Sequence, residues 1–243
     1  MARIFITGSA DGLGHLAAKA LIAQGHQLVL HARNEQRGKE ALQKLPNAET
    51  VLTGDLSIPE ETKKLAASVN ALGRFDVVIH NAGVYQSNSQ EIFTVNVLAP
   101  YILTCAIHKP KRLIYLGSGM HLHGHVKPGD FKTGIGHLNY SDSKLMVLML
   151  CKSVARHWPD VFSNTVDPGW VPTKMGGRGA PGDLQKGVET QVWLAVSEDD
   201  NATLSGGYFY HRKQTRYNPE ADDTVAQDRL LAFCQQISGV AFK

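Results

Sequence analysis

The chain has 243 residues, 43% hydrophobic and 19% charged, with a formal net charge of +3. This suits a soluble globular fold with a full core, and the charge is too small and too scattered to suggest a nucleic-acid or membrane partner. Cys105, Cys151 and Cys234 are far apart and odd in number, giving no disulfide framework and no metal-ligand spacing, and predicting a reducing, cytoplasmic setting.

Met1-Ala2-Arg3 leads at once into an apolar run, which predicts no signal peptide. Ile4 to Thr7 reads as a strand. Leu13 to Gln24 reads as a helix with Leu13, Leu16, Ala17, Ala20 and Leu21 on one face, stopped by Gly25. Gln27 to His31 is the next strand and Glu35 to Leu45 a charged helix. Thr50 to Leu52 is a third strand, followed by a helix that Pro59 opens and that ends about Leu72. Asp76 to His80 is a strand, Ser89 to Ile107 a long helix, and Leu113 to Gly117 a fifth strand. Asn139 to Trp158 is helical and stopped by Pro159; its run Leu145 to Cys151 is too short to span a bilayer. Phe162 to Val166, a helix from Leu184 to Val196, a strand from Tyr208 to Tyr210 and a helix from Asp222 to Ile237 complete the series.

Alternating β and α elements imply parallel strands, right-handed crossovers and helices on both sheet faces. The expected fold is α/β: a single doubly wound domain over residues 1–243 with a parallel sheet of about seven strands. The Gly-rich stretches 121–137 and 172–183 follow strands five and six, so they are expected at the carboxyl edge as substrate-binding loops.

Between the first strand and helix stands Thr7-Gly8-Ser9-Ala10-Asp11-Gly12-Leu13-Gly14. Glycine there admits positive φ and close backbone approach, and a helix N-terminus favours an anion, an arrangement that receives a diphosphate. The spacing is not G-x-G-x-x-G, and a Gly-rich turn alone is equally a tight β–α connection. Tyr140 and Lys144 stand four apart on one helix face, so an ammonium can sit beside a phenol. A phenol with a pKa near ~10 works as an acid–base group at neutral pH when a cation favours its ionised form. His121, His123 and His125 alternate along a Gly-rich loop; a zinc site needs more ligands and a polar surround, so a polar loop without metal is expected, with His121 a candidate to touch substrate. Trp170 is either a substrate wall or a packing anchor.

The order of these motifs resembles the short-chain dehydrogenase/reductase family over nearly the whole chain. Thr7-Gly8-x-x-x-Gly12-x-Gly14 is followed by Asn81-Ala82-Gly83 after strand four, Asn96 in the long helix and Ser118 at the end of strand five. Tyr140 with Lys144 then opens a helix, and Asp167-Pro168-Gly169-Trp170-Val171-Pro172-Thr173 follows strand six. The long stretch between Ser118 and Tyr140 is similar to that of the retinol-dehydrogenase-like branch, whose members reduce apolar aldehydes and ketones.

The resemblance implies a Rossmann fold and an NAD(P)-dependent oxidoreductase acting on a small-molecule carbonyl or alcohol. It implies that Gly8, Gly12 and Leu13 line the diphosphate, Asp55 contacts the adenine, Asn81 the adenosine ribose region, and Val171 and Thr173 the carboxamide. Asp11, Arg33, Leu56, Ala82, Gly83, Pro168, Tyr140 and Lys144 complete the expected cofactor set. Tyr140 is implied as acid or base, Lys144 as the cation that lowers the phenol's pKa, Ser118 as the hydrogen-bond donor to substrate, and Asn96 as an anchor for Lys144 through a water. A homodimer or homotetramer packed through the Tyr140 helix is implied as well; the run Leu145 to Leu150 fits that interface or a buried core.

Arg33 follows Ala32 at the end of strand two, where a carboxylate would select a ribose hydroxyl and a guanidinium a 2′-phosphate. NADP is therefore the expected cofactor and NAD the alternative, with Arg33 as an ordinary solvated residue the competing reading. Asp11 stands where many NADP-dependent relatives carry a basic residue. Two other functions compete. An NADP-binding redox sensor with little turnover would explain the fold, but relatives of that kind have lost the Tyr or Lys. A Rossmann-like methyltransferase would explain the glycines but not Tyr140, Lys144 and Ser118 together.

Overall fold

The computed structural model describes residues 1–126 and 136–242. One sheet runs in the order β3-β2-β1-β4-β5-β6-β7-β8. Its strands are β1 (Arg3–Ile6), β2 (Gln27–Ala32), β3 (Thr50–Thr53), β4 (Val77–His80), β5 (Arg112–Leu116), β6 (Phe162–Val166), β7 (Tyr208–Tyr210) and β8 (Lys213–Gln214). The first seven are parallel. The chain steps outward from β1 to β3, then returns to place β4 on the other side of β1. At that reversal the connections leave to opposite faces, and a crevice opens at the carboxyl edge.

The helices are α1 (Gly12–Ala23), α2 (Glu35–Lys44), α3 (Pro59–Ala71), α4 (Ser89–Phe93), α5 (Ala99–Ala106), α6 (Tyr140–His157), α7 (Leu184–Val196) and α8 (Thr224–Ser238). Strand residues alternate between two cores, as the pleat demands. Ile4, Ile6, Leu30 and Ile79 pack with Ala17 and Leu21 of α1 and Val188 of α7. Phe5, Val29, Val78 and Tyr115 pack with α3, α5, α6 and α8. Residues Leu145 to Cys151 are all buried in the chain's own core, so that apolar run is explained without an interface. Among the described residues no helix is long and apolar enough to cross a membrane.

Two refinements follow. The expected long helix over 89–107 is present from Ser89 to Ala106, but α4 runs directly into a π-helical turn at Thr94–Leu98 before continuing as α5. Pro100 is the cause: it has no N–H for the Asn96 carbonyl four residues back, and its ring crowds that carbonyl, so the helix widens. The sheet also gains an eighth strand, antiparallel to β7. Its hairpin turns on His211 and Arg212, both at positive φ, without the Asn-Gly signature that makes such turns visible in a sequence.

Two histidines are buried in the sheet. His80 stacks on Tyr115, ring centroids 4.8 Å apart, and burial pushes its pKa down to about 3. Burial likewise pushes His31 from 6.5 down to about 4. Both stay neutral in the folded protein while the unfolded chain takes up protons below about pH 6.5, so their contribution is complete above that pH and is lost as pH falls toward 4. Each shift corresponds to roughly 3 kcal/mol at pH 4. The melting temperature is expected to fall steadily from pH 6.5 to pH 4, less steeply in His31→Asn. A flat profile in the wild type contradicts this account.

Candidate active site

A cleft of about 560 Å³ occupies the crevice between β1 and β4. Its floor is a knot of hydrogen bonds. Thr7 Oγ1 accepts from the backbone N–H groups of Asn81 and Ala82, each at 3.0 Å. Asn81 Nδ2 donates in return to the carbonyls of Thr7 at 2.9 Å and Gly8 at 3.1 Å. Gly8 turns at φ 64°, and a Cβ there would meet Ala82 Cα at 3.0 Å. His31 Nδ1 accepts from the Gly8 N–H at 2.9 Å, so its Nε2–H donates to the Gly54 carbonyl, also at 2.9 Å. One neutral imidazole thus ties the first turn to the turn after β3.

At one end of the cleft charges pair across loops. Arg33 Nε donates to Asp55 Oδ2 at 2.8 Å. Asp11 Oδ2 accepts from Arg37 Nη2 at 2.6 Å and from Lys174 Nζ at 3.0 Å, so the loop after β6 is clasped to the first turn. At the other end Asn139 and Asp142 form a capping box that starts α6 at Tyr140, which fixes the helix phase and puts Tyr140 and Lys144 on the cleft side. Lys144 is 4% exposed, and its Nζ donates to the Leu116 carbonyl at 2.7 Å. Burial pushes its pKa down to about 8, with Asp167 acting in the opposite direction. Burial pushes Tyr140 up to about 12, opposed by the Ser118 hydroxyl.

The expected lowering of the phenol by Lys144 is therefore corrected. The ammonium lies 5.4 Å from the Tyr140 ring centroid and is turned to a backbone carbonyl, and desolvation of the phenol dominates. Tyr85 closes this end, edge-on to Tyr140 with centroids 4.8 Å apart.

Of the expected residues, Gly8, Asp11, Gly12, Leu13, Arg33, Asp55, Leu56, Asn81, Ala82, Gly83, Tyr140, Lys144 and Thr173 line the cleft, and Ser118, Asn96, Pro168 and Val171 lie outside its lining. Val171 is 5% exposed and packs behind the loop. The Asn96 side chain is fully engaged: Oδ1 accepts from the Val84 N–H at 2.8 Å, and Nδ2 donates to the Val84 carbonyl at 2.9 Å and to Ser143 Oγ at 3.0 Å. It braces the turn after β4 against α6. Ser118 lies two residues beyond β5, its Oγ accepting from the Met120 N–H at 3.3 Å.

His121 is corrected from a possible substrate contact to a brace. It is fully buried, bonds the Ser118 carbonyl at 2.7 Å and accepts from the Asn218 N–H at 3.2 Å. His125 pairs with Glu220. Trp170 is 64% exposed, which removes the packing-anchor reading; its Nε1–H donates to the Gly176 carbonyl at 2.8 Å. Much of the expected loop 121–137 lies outside the described residues.

Sequence reasoning missed His31, Arg37, Tyr85 and Lys174, all of which line the cleft. Arg37 was accessible: Asn34 is a good helix cap, and its Oδ1 accepts from the Arg37 N–H, so helix phase brings Arg37 back beside Asp11. Tyr85 and Lys174 sit on loops with no such phase.

A nicotinamide dinucleotide fits these residues. Nothing lies within 4 Å of where a Cβ of Gly12 would stand, Asn81 Oδ1 is buried with no hydrogen-bond partner among the described residues, and the α1 N-terminus favours a diphosphate. The comparisons agree. The family model described as short chain dehydrogenase matches residues 2–181. The chain is 45% identical to an uncharacterized oxidoreductase of Emericella nidulans, covering 99% of this chain and 98% of that protein. It is 39% identical to the short-chain dehydrogenase chry4 of Gibberella zeae, over 99% and 98%. A short-chain dehydrogenase from Burkholderia cenocepacia, solved in complex with NADP, has a TM-score of 0.71 and 19% identity over 86% of this chain and 95% of that one.

The protein belongs to the short-chain dehydrogenase family. It is an NAD(P)-dependent oxidoreductase.

Gly14→Ala tests the cleft floor. Its Cβ would stand 2.4 Å from Asn81 Nδ2 and 2.5 Å from the Gly8 carbonyl oxygen, forcing both turns apart. The expected result is a loss of about 1–3 kcal/mol of stability and at least about tenfold weaker dinucleotide binding by titration. Wild-type values in both would show that the knot does not shape the site.

Proposed function

We propose that the protein is an NADP-dependent carbonyl reductase that also runs in reverse as an alcohol dehydrogenase. One observation carries the reading: a half-buried tyrosine beside a buried lysine closes one end of the cleft whose other end holds two arginines, Arg33 and Arg37. A bound NADPH supplies the hydride to the carbonyl carbon. Tyr140 Oη gives its proton to the carbonyl oxygen, so a C=O becomes CH–OH and the phenol is recharged from solvent. A positioned acid of this kind contributes about 10²–10⁴-fold. Ser118 Oγ holds the substrate oxygen against Tyr140, and the Lys144 ammonium, 5.4 Å from the Tyr140 ring centroid, offsets only part of the cost of the charge that develops there. Asn96 holds the turn carrying Gly83 and Val84 against the same helix.

NADP over NAD is supported by Ala32 at the position where a carboxylate would repel a 2′-phosphate, and by the two guanidinium groups beside it. The NADP complex of the Burkholderia cenocepacia neighbour is consistent with this choice. Aromatic and apolar side chains at the mouth, Tyr85 and Met175, favour a substrate with an apolar body.

The test is NADPH oxidation followed by absorbance over a panel of aldehydes and ketones. Turnover is expected, and binding without oxidation across the panel would favour a sensor. Tyr140→Phe is expected to lower kcat by about 10²-fold or more with NADPH affinity unchanged; near wild-type kcat overturns the assignment. Arg33→Ala is expected to raise the KM for NADPH about tenfold or more and leave that for NADH unaltered. An unchanged preference removes Arg33 from cofactor selection.

A further inference from the structure

His121 is a fully buried imidazole that the proposed reaction does not use. It stands three residues after Ser118, in the short helical turn Gly119–His123 that Ser118 caps. The ring bonds on both edges. Its Nε2 accepts from the Asn218 N–H at 3.2 Å, so the neutral ring carries its proton on Nδ1. That Nδ1–H donates to the Ser118 carbonyl at 2.7 Å, and the His121 backbone N–H donates to the same oxygen at 3.0 Å. One residue therefore holds the Ser118 peptide twice. Ser118 Oγ accepts from the Met120 N–H at 3.3 Å, which leaves the hydroxyl proton for a different partner.

The far side of the ring is built by the segment between β8 and α8. Asn218 is buried there, with its amide engaged at both atoms. Its Nδ2 donates to the Gly124 carbonyl at 2.9 Å and the His121 carbonyl at 3.4 Å, while Oδ1 accepts from the Glu220 N–H at 3.0 Å. Glu220 extends the contact, accepting from the Val126 N–H at 3.2 Å and pairing with His125. Tyr208 of β7 covers the imidazole, ring centroids 4.4 Å apart. The Tyr208 Cε2 atom lies 3.2 Å from where a Cβ of Gly117 would stand. Residues 117–126 are thus moulded on β7 and on residues 218–220. A buried ring paired at donor and acceptor alike rigidifies what it touches.

We propose that His121, held in its Nδ1–H tautomer by Asn218, is the positioning residue for Ser118, fixing the peptide from which the serine hydroxyl reaches the substrate oxygen. The inference rests on the role given to Ser118 in the carbonyl-reductase reading. Tyr140 and Lys144 are aimed by α6, whereas Ser118 lies beyond the end of β5 and takes its aim from the ring behind it. The imidazole touches no reacting atom and neither gives nor takes a proton in the reaction. Its influence therefore falls on kcat and leaves NADPH binding unaltered.

A double-mutant cycle tests this, with NADPH and the aldehyde or ketone of the panel that the wild type reduces fastest. Glutamine puts a carbonyl oxygen near the place of Nε2, keeping an acceptor for the Asn218 N–H, but has no donor where Nδ1 stood. Asparagine does the reverse. His121→Gln is expected to lower kcat about tenfold, the weight of one hydrogen bond, with the Kd for NADPH within about twofold of wild type. His121→Asn is expected to recover kcat to within about threefold of wild type, although it also loses one bond. In the Ser118→Ala background, His121→Gln is expected to lower kcat by less than about twofold more. The same tenfold loss in both backgrounds, or equal losses in the Gln and Asn variants, marks a general brace and overturns the proposal alone. A wild type that reduces no carbonyl, or Ser118→Ala at wild-type kcat, overturns the reading of Ser118 and takes the proposal with it. Should the His121 variants not fold, nitrogen NMR of the wild-type imidazoles decides. A protonated Nδ1 and a bare Nε2 are expected for His121, and a protonated Nε2 overturns the proposal.

Discussion

The site depends on the Thr7–Asn81 junction. Parallel strands β1 and β4 are neighbours in the sheet but are separated in sequence by two complete β–α units, and their outgoing turns would splay apart. Four hydrogen bonds through Thr7 Oγ1 and Asn81 Nδ2 hold those turns together. Because the bonds are partly buried, breaking one leaves a poorly solvated polar group unpaired at a cost toward the lower end of about 1–3 kcal/mol. That cost makes the floor of the cleft stiff. Gly8 and Gly14 fit here because any Cβ would occupy the space the junction needs, and His31 extends the same rigidity to the turn after β3.

At the Tyr140 end of the cleft two effects compete. Burial opposes charge on both Tyr140 and Lys144, and burial wins for each: the phenol moves up and the ammonium moves down. The proposed proton transfer needs the opposite balance, and neighbouring groups limit the loss. The Leu116 carbonyl and Asp167 support the ammonium, while Ser118 supports the phenolate. Asn96 holds the neighbouring turn by spending its whole amide on Val84 and Ser143. Pro100 connects this arrangement to the helix that carries Asn96, since the missing N–H widens the helix at that residue.

Much of this was legible in the residues. Apolar alternation placed the seven parallel strands to within a residue or two because each is bounded by Gly, Pro or a polar cap. Tyr140 and Lys144 were legible because a helix fixes their separation. The cofactor end was legible in part: Gly8, Gly12 and Asn81 sit in turns with strong conformational demands. What a pattern could not supply were contacts made between distant loops. Lys174 reaches Asp11 across a sequence separation of 163 residues, and β8 turns on two non-glycine residues at positive φ. The electrostatic sign at Tyr140 was misjudged for a related reason: spacing gives the distance between two groups on a helix, but desolvation depends on what every other element packs over them.

The most direct measurement of the central claim is the crystal structure of the protein soaked or grown with NADP. The account requires the diphosphate over Gly12 at the α1 N-terminus, the adenosine end beside Arg33 and Arg37, and the nicotinamide against Tyr140 and Lys144. A dinucleotide bound elsewhere, or with its nicotinamide turned away from Tyr140, would contradict it.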